Sequence, residues 1–213
     1  MLDRIFTKKR VFTLFFFLLF GFLHAHQDNP FIIEQGNLID PRAAGKLYEI
    51  GSEVKSKLGV NIYIYAKENY GIEQDISKKD KFERIKAYEA QIVKDLNKPY
   101  VLMTMAIDHT HVNLLMSDDL KDVINKDDIL DGFVIPLLAS KDKNSLYSKT
   151  SAAILNGYAE IADRLASKQG IELESSIGSS GRVAGTLWKV FMYFLIFGGI
   201  VLYTYAIMRK KRK

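Results

Sequence analysis

The 213-residue chain contains no cysteine. That absence removes disulfides, a thiol nucleophile, Cys-ligated zinc and lipid attachment at an N-terminal cysteine, so an ordinary core must hold the fold. Also missing are a G-x-S-x-G nucleophile elbow and a G-x-x-x-x-G-K-[ST] phosphate loop. Basic charge is scarce where it would count. Residues 26–186 carry 20 Lys and Arg against 24 Asp and Glu, a net of −4, although the whole chain is +5. A nucleic-acid footprint needs a basic patch or stripe within the folded domain. Neither the balance nor the spacing supplies one, so nucleic acid is set aside as a partner.

What is present brackets the chain. Arg4, Lys8, Lys9 and Arg10 precede an uncharged run from Val11 to Ala25, and a second run from Val190 to Met208 is followed by Arg209, Lys210, Lys211, Arg212 and Lys213. Basic flanks stay cytoplasmic, which sends everything between the two runs across the membrane. The second run has 19 residues, and at about 1.5 Å per residue a helix of that length spans about 30 Å of hydrocarbon. It reads as one C-terminal transmembrane helix, 190–208, with a basic cytoplasmic tail, 209–213. The first run has 15 residues and ends Leu23-His24-Ala25, the pattern of a signal peptide over residues 1–25, with an uncleaved anchor as the alternative. Residues 26–174 then form the exported domain, and the Gly/Ser-rich segment 175–189 is linker and membrane flank. The expected location is a bacterial-type inner (plasma) membrane, single-pass, with the main domain on the periplasmic or extracellular side.

Within the domain, Phe31-Ile32-Ile33 and Leu38-Ile39 are short apolar pieces before Asp40-Pro41, a preferred N-cap followed by a preferred first helical residue. Ala44, Leu47, Gly51, Val54 and Leu58 continue at helical spacing to Gly59. Val60 to Ala66 alternates as a strand, and Lys78 to Leu96 repeats apolar residues at helical intervals in a charged background. Tyr100 to Ile107 is a continuous apolar run, expected to be a central strand covered on both faces. Asp108-His109-Thr110 is too short for anything but an antiparallel return into His111 to Met116. Helical patterns follow at 120–124, 129–138 and 146–165. This order predicts an α/β fold: an α/β/α layered sandwich with a mixed sheet.

These residues resemble the TPM domain family. The resemblance rests on Leu38-Ile39-Asp40 before a capped helix, Gly59-Val60-Asn61-Ile62-Tyr63-Ile64, the hairpin from Val101 to Met116 turning at Asp108, Val134-Ile135-Pro136-Leu137-Leu138, and Leu146 to Tyr158. It implies an exported α/β/α domain followed by a membrane-spanning helix. The family is associated with metal-binding phosphatase activity in some lineages and with upkeep or assembly of membrane protein complexes in others. The chain departs from the family at two marked places. It reads Asp108-His109-Thr110 where an Asp-Asp-Arg turn is usual, and Met116-Ser117-Asp118 where a Gly-x-Gly is common. Those losses favour the assembly role, with the lipid bilayer and another membrane protein as partners. A divalent-metal-dependent phosphatase and a passive structural spacer are the alternatives.

Asp40 and Asp108 are the candidate metal ligands. If the first and central strands run parallel, both carboxylates emerge at the sheet edge where α/β folds place ligands, and together they could hold a hard cation such as Ca²⁺. The competing reading makes Asp40 a helix cap and Asp108 a turn residue. His109 and His111 form an H-x-H pair that suits zinc only if both are extended, and His109 belongs to the turn. A mature N-terminal His26 could chelate copper. Asp118, Asp119, Asp122, Asp127, Asp128 and Asp131 crowd together but lack the Ca²⁺-loop spacing and read as solvated caps. Tyr63, Tyr65 and Tyr70 are either a recognition surface or tyrosines half-buried beneath a helix. No catalytic constellation is apparent.

The flanking charges generate a direct test of topology. A reporter active only outside the cytoplasm is expected to work when fused at Gly170 and to stay silent when fused after Lys213. Activity from the Lys213 fusion would show that 190–208 does not span.

Overall fold

A computed structural model describes residues 29–73, 75–177 and 192–198. The signal-peptide segment 1–25, the basic tail 209–213 and most of 190–208 lie outside the described residues. Within the last run, 192–198 are helical. Among the described residues no helix is long and apolar enough to cross a membrane.

Four strands, β1 (Ile32–Glu34), β2 (Asn61–Lys67), β3 (Tyr100–Ala106) and β4 (His111–Met116), form one mixed sheet in the order β1-β2-β3-β4. The first three are parallel and β4 is antiparallel to β3. The helices are α1 (Pro41–Leu58), α2 (Lys78–Val93), α3 (Lys126–Ile129), α4 (Ile135–Leu138) and α5 (Leu146–Lys168). The expected strand and helix order holds, and every residue of β3 is buried.

Strand alternation gives the two faces of the sheet different chemistry. Ile62, Ile64, Val101, Met103 and Met105 pack against α1, α3 and α5 in an aliphatic core. Tyr63, Tyr65, Tyr100, Leu102 and Ala106 turn the other way, beneath Ile85, Tyr88, Ile92 and Val93 of α2. Helices therefore cover both faces. The tyrosines of β2 are packed beneath a helix, as the second reading of that group had it. Both crossovers, β1-α1-β2 and β2-α2-β3, step the same way across the sheet yet place their helices on opposite faces. They are of opposite hand, so one departs from the usual right-handed rule.

α1 forms where the caps demand. The Asp40 carboxylate accepts from the Arg42 N–H at 2.9 Å, Pro41 opens the first turn, and Gly59 at φ +70° closes the last by donating to the Lys55 carbonyl at 3.1 Å. Its buried stripe is Ala43, Leu47, Ile50, Gly51 and Val54. α5 supplies the long-range ties. Thr150 Oγ1 donates to the Leu38 carbonyl at 3.0 Å, the Tyr147 hydroxyl to the Ile39 carbonyl at 3.2 Å, and the Asp40 N–H donates to Ser151 Oγ at 2.6 Å. The fully buried Tyr158 hydroxyl donates to the Ile62 carbonyl of β2 at 3.0 Å.

Several elements differ from expectation. β1 is only three residues long, and Leu38 and Ile39 are buried in a loop after positive-φ Gly36 and Asn37. α2 stops at Val93 rather than Leu96. The 120–124 segment is preceded by a single tight turn at Asp118–Leu120. The 129–138 pattern is divided by a wide, π-type segment at Leu130–Val134. Pro136 lacks the N–H that would bond back to Gly132, so a uniform α-ladder cannot run through this stretch.

Close packing at α1 makes a sign-opposed test. A Cβ on Gly51 would come within 2.6 to 2.7 Å of the Phe31 ring and would strike the Tyr158 hydroxyl, whereas one on Gly45 meets nothing within 4 Å. In equilibrium unfolding, Gly51→Ala is expected to lose about 1–3 kcal/mol through overpacking. Gly45→Ala should gain about 0.5–1 kcal/mol from helix propensity. Equal effects would refute the close approach.

Candidate functional site

Because β1, β2 and β3 are parallel, their C-terminal ends share one sheet edge, and the loops after them carry Asp40, Asn69, Tyr70, Asp108 and His109. Each has a local partner. Asp40 accepts from Arg42 through Nε at 3.0 Å and Nη2 at 3.3 Å. Those bonds hold its carboxyl below the usual range. Asp108 accepts from Asn69 Nδ2 at 3.2 Å, and its N–H donates to the Glu68 carbonyl at 2.9 Å. The two candidate metal ligands thus reach the same edge but have different partners, Asp40 being paired with the exposed Arg42 guanidinium. Among the described residues, no group of three or more His, Asp or Glu side chains is arranged to hold a metal ion.

The two histidines part company at the turn. Residues Ile107–His109 form a tight helical turn and Thr110 adopts φ +49°. His109 Nε2 lies 3.2 Å from Asn69 Oδ1, while His111 Nε2 lies 2.8 Å from Glu89 Oε1. Asn69 Oδ1 is an acceptor, also taking the Gly71 N–H at 2.6 Å. His109 therefore carries its proton on Nε2. Burial, with Lys81 nearby, lowers its pKa and favours the neutral ring. His26 lies outside the described residues. In the aspartate-rich stretch, Asp118 pairs with Lys121 at 2.6 Å, Asp127 and Asp128 sit in the first turn of α3 capped by Asn125, and Asp128 meets Arg164 at 3.5 Å.

The residue that sequence reasoning missed is Glu89. It lies on α2, on the same stripe as the buried Ile85, and is 3% exposed. Its Oε1 accepts from Thr104 Oγ1 and His111 Nε2, and its Oε2 from Asn113 Nδ2 at 2.7 Å. Burial alone would push the carboxyl up. The His111, Thr104 and Asn113 donors outweigh it and hold the pKa below 4.5. Thr104 and Asn113 are register partners across β3 and β4, so one carboxylate ties α2 to two strands. The available signal was positional: Glu89 falls at i+4 from Ile85 and just before Ile92, where an outer-face residue would not fall.

Aromatic rings close the group. Tyr70 stacks on Tyr88 at 4.6 Å, the Tyr65 and Tyr88 hydroxyls are 2.6 Å apart, and His109 stands edge-on to Tyr70 at 6.2 Å. Burial and the Glu89 charge raise the Tyr70 pKa, so it stays a phenol. Among the described residues its buried hydroxyl makes no hydrogen bond. A general base needs a lone pair within reach of substrate. Both Glu89 oxygens are instead occupied by the protein's own donors.

No protein-family model matches the chain, and no curated protein matches it. A solution NMR structure of the N-terminal domain of a P. gingivalis protein is similar at a TM-score of 0.52 and 12% identity, over 70% of this chain and 90% of that one. The NMR structure of the BA42 protein from the psychrophilic bacterium Bizionia argentinensis is similar at 0.41 and 14% identity, over 65% of this chain and 93% of that one. The first of these shows a shared fold.

Glu89 generates a stability test. Its folded pKa is below its unfolded value near 4.5, so its contribution is present above that value and lost as pH falls through the folded pKa. Glu89→Gln places an amide N–H₂ against groups that are donors and is expected to cost about 1–3 kcal/mol near neutral pH. The fall in thermal midpoint from about pH 5 to pH 3 should also be shallower in this variant. An unchanged slope would mean Glu89 is not the buried anion described.

Proposed function

We propose that this chain is a TPM-like domain, held at a membrane by the run 190–208 and facing the periplasmic or extracellular side. There it assists or regulates the assembly or maintenance of another membrane protein. The observation that supports this reading is the internal engagement of the chemistry-bearing groups. Glu89 is taken by Thr104, His111 and Asn113, Asp40 by Arg42 and Asp108 by Asn69. Catalysis needs convergent groups free to meet a substrate, whereas a binding domain needs a stable scaffold and an outer surface. The fold shared with the P. gingivalis domain is compatible with either role.

The rival, a divalent-metal-dependent phosphatase, has one observation in its favour: parallel β1, β2 and β3 deliver Asp40 and Asp108 to one sheet edge. In-membrane crosslinking of the full chain followed by affinity capture is expected to retain a defined membrane protein. The purified full chain should not hydrolyse p-nitrophenyl phosphate with Ca²⁺ or another divalent cation. Metal-dependent hydrolysis lost in Asp108→Asn would replace the proposal with the phosphatase, and neither capture nor hydrolysis would leave a structural spacer.

A further inference from the structure

Along an exposed flank of α2, beside its buried stripe, the charge balance of the domain reverses. Phe82 is 62% exposed, the most exposed large apolar side chain of residues 29–177. Lys78, Lys79 and Lys86, at i−4, i−3 and i+4 from it, are all exposed and share its helix face. Arg84 and Lys94 are exposed on the same helix and its end. Of the acidic residues in between, Asp80 is held by the Ser77 hydroxyl at 2.8 Å. This concentration of cations stands in a segment, 26–186, whose net charge is −4. Two of the lysines open the helix, at the positive end of its dipole, where cations are unfavourable unless an external anion offsets them.

We infer that this face of α2 docks on anionic phospholipid headgroups, with Phe82 entering the interface and the lysines meeting lipid phosphates. Among the described residues α2 is the sole helix packed on its side of the sheet, so no other helix covers this flank. An aromatic side chain ringed by lysines is the pattern that partitions into a charged bilayer interface. The inference rests on the proposed anchoring of run 190–208. Only residues 178–189 separate Ile177 from that run, and such a length reaches about 40 Å when extended. The bilayer is then presented to the domain at high effective concentration. Docking lays α2 flat and the domain on its side.

The absence of cysteine makes the test clean, because a single introduced thiol is a unique label site. Full-length protein carrying Ala90→Cys, on the Phe82 and Lys86 face, or Lys55→Cys, on α1 across the sheet, is labelled with a fluorophore. It is then reconstituted into phosphatidylcholine vesicles with or without phosphatidylglycerol and with headgroup-nitroxide quencher lipids. The Ala90 label should be quenched in anionic vesicles and not in neutral ones, and the Lys55 label in neither. Phe82→Ser should reduce the quenching, and replacing Lys78, Lys79 and Lys86 with Gln should weaken docking about fivefold per lysine. Co-flotation with neutral vesicles reads the anchor separately. Flotation without charge-dependent Ala90 quenching overturns the inference and leaves the anchor standing, and would redirect the basic face to an acidic protein. Failure to float in neutral vesicles defeats the anchor. Docking would then persist only as flotation with anionic vesicles that Phe82→Ser diminishes, and its absence there overturns the inference as well.

Discussion

The contact of Tyr158 with β2 across the bare backbone of Gly51 is the joint on which the rest of the fold depends. The Tyr158 phenol is fully buried and its hydroxyl reaches the Ile62 carbonyl at 3.0 Å. It can pass because Gly51 has no Cβ, and the neighbouring Gly157 likewise admits Met103 and Val134. α1 and α5 therefore sit close to each other and to the sheet. From there Thr150, Tyr147 and Ser151 hold the 38–40 loop, and that loop places the Asp40 cap and starts α1. β1, with three residues, offers little pairing of its own. The segment 146–158, which carries part of the TPM resemblance, thus owes its residue choices to packing and loop anchoring, and a structural role accounts for them without chemistry.

The opposite face solves a harder problem. A buried carboxylate is tolerated only when its lone pairs are met, and Glu89 meets that condition with donors from two strands. The cost of a mismatch is what gives such a group value: sliding α2 by a turn would strand the anion among Leu102 and the tyrosines. Purely aliphatic packing, of the kind on the α1 and α5 face, would resist such a slide weakly, since similar residues can exchange places. The polar hub therefore specifies where α2 lies, and with it which residues of α2 face outward.

How much of this could be read from the chain depended on distance along it. The Asp40-Pro41 cap, the apolar run of β3 and the three-residue return into β4 are local signals, and each appeared where it was read. What escaped was long-range. Glu89 looks like one more charge on a charged helix until Thr104, His111 and Asn113 are folded onto it. Asn69 shows nothing in sequence, yet it bridges Asp108 and His109 across two loops. Leu38 and Ile39 are buried like strand residues while lying in a loop, because α5 holds their carbonyls through Thr150 and Tyr147. The histidine pair was separable beforehand, since a residue confined to a tight turn cannot share a strand face with its neighbour.

The same argument governs where the folded unit ends. Composition places the boundary at the Gly/Ser-rich segment after residue 174, but Leu173 and Ser176 are buried and both flank a clamp. Glu53 on α1 accepts from the N–H groups of Glu174 and Ser175 at 2.9 and 2.8 Å and from the Ser175 hydroxyl, and it pairs with Lys57 at 2.7 Å. Burial opposes its charge, but Lys57 and these donors prevail and bring its pKa down to about 2. The clamp is thus intact above the ordinary carboxylate range and is lost only as pH falls toward that value. A small, polar stretch is held in place by a carboxylate more than a hundred residues earlier in the chain, which no local composition rule can register. Glu53 lies in the last turns of α1, which runs back from the sheet edge bearing Asp40. The segment 173–176 is therefore pinned toward the end of α1 opposite its Asp40 cap.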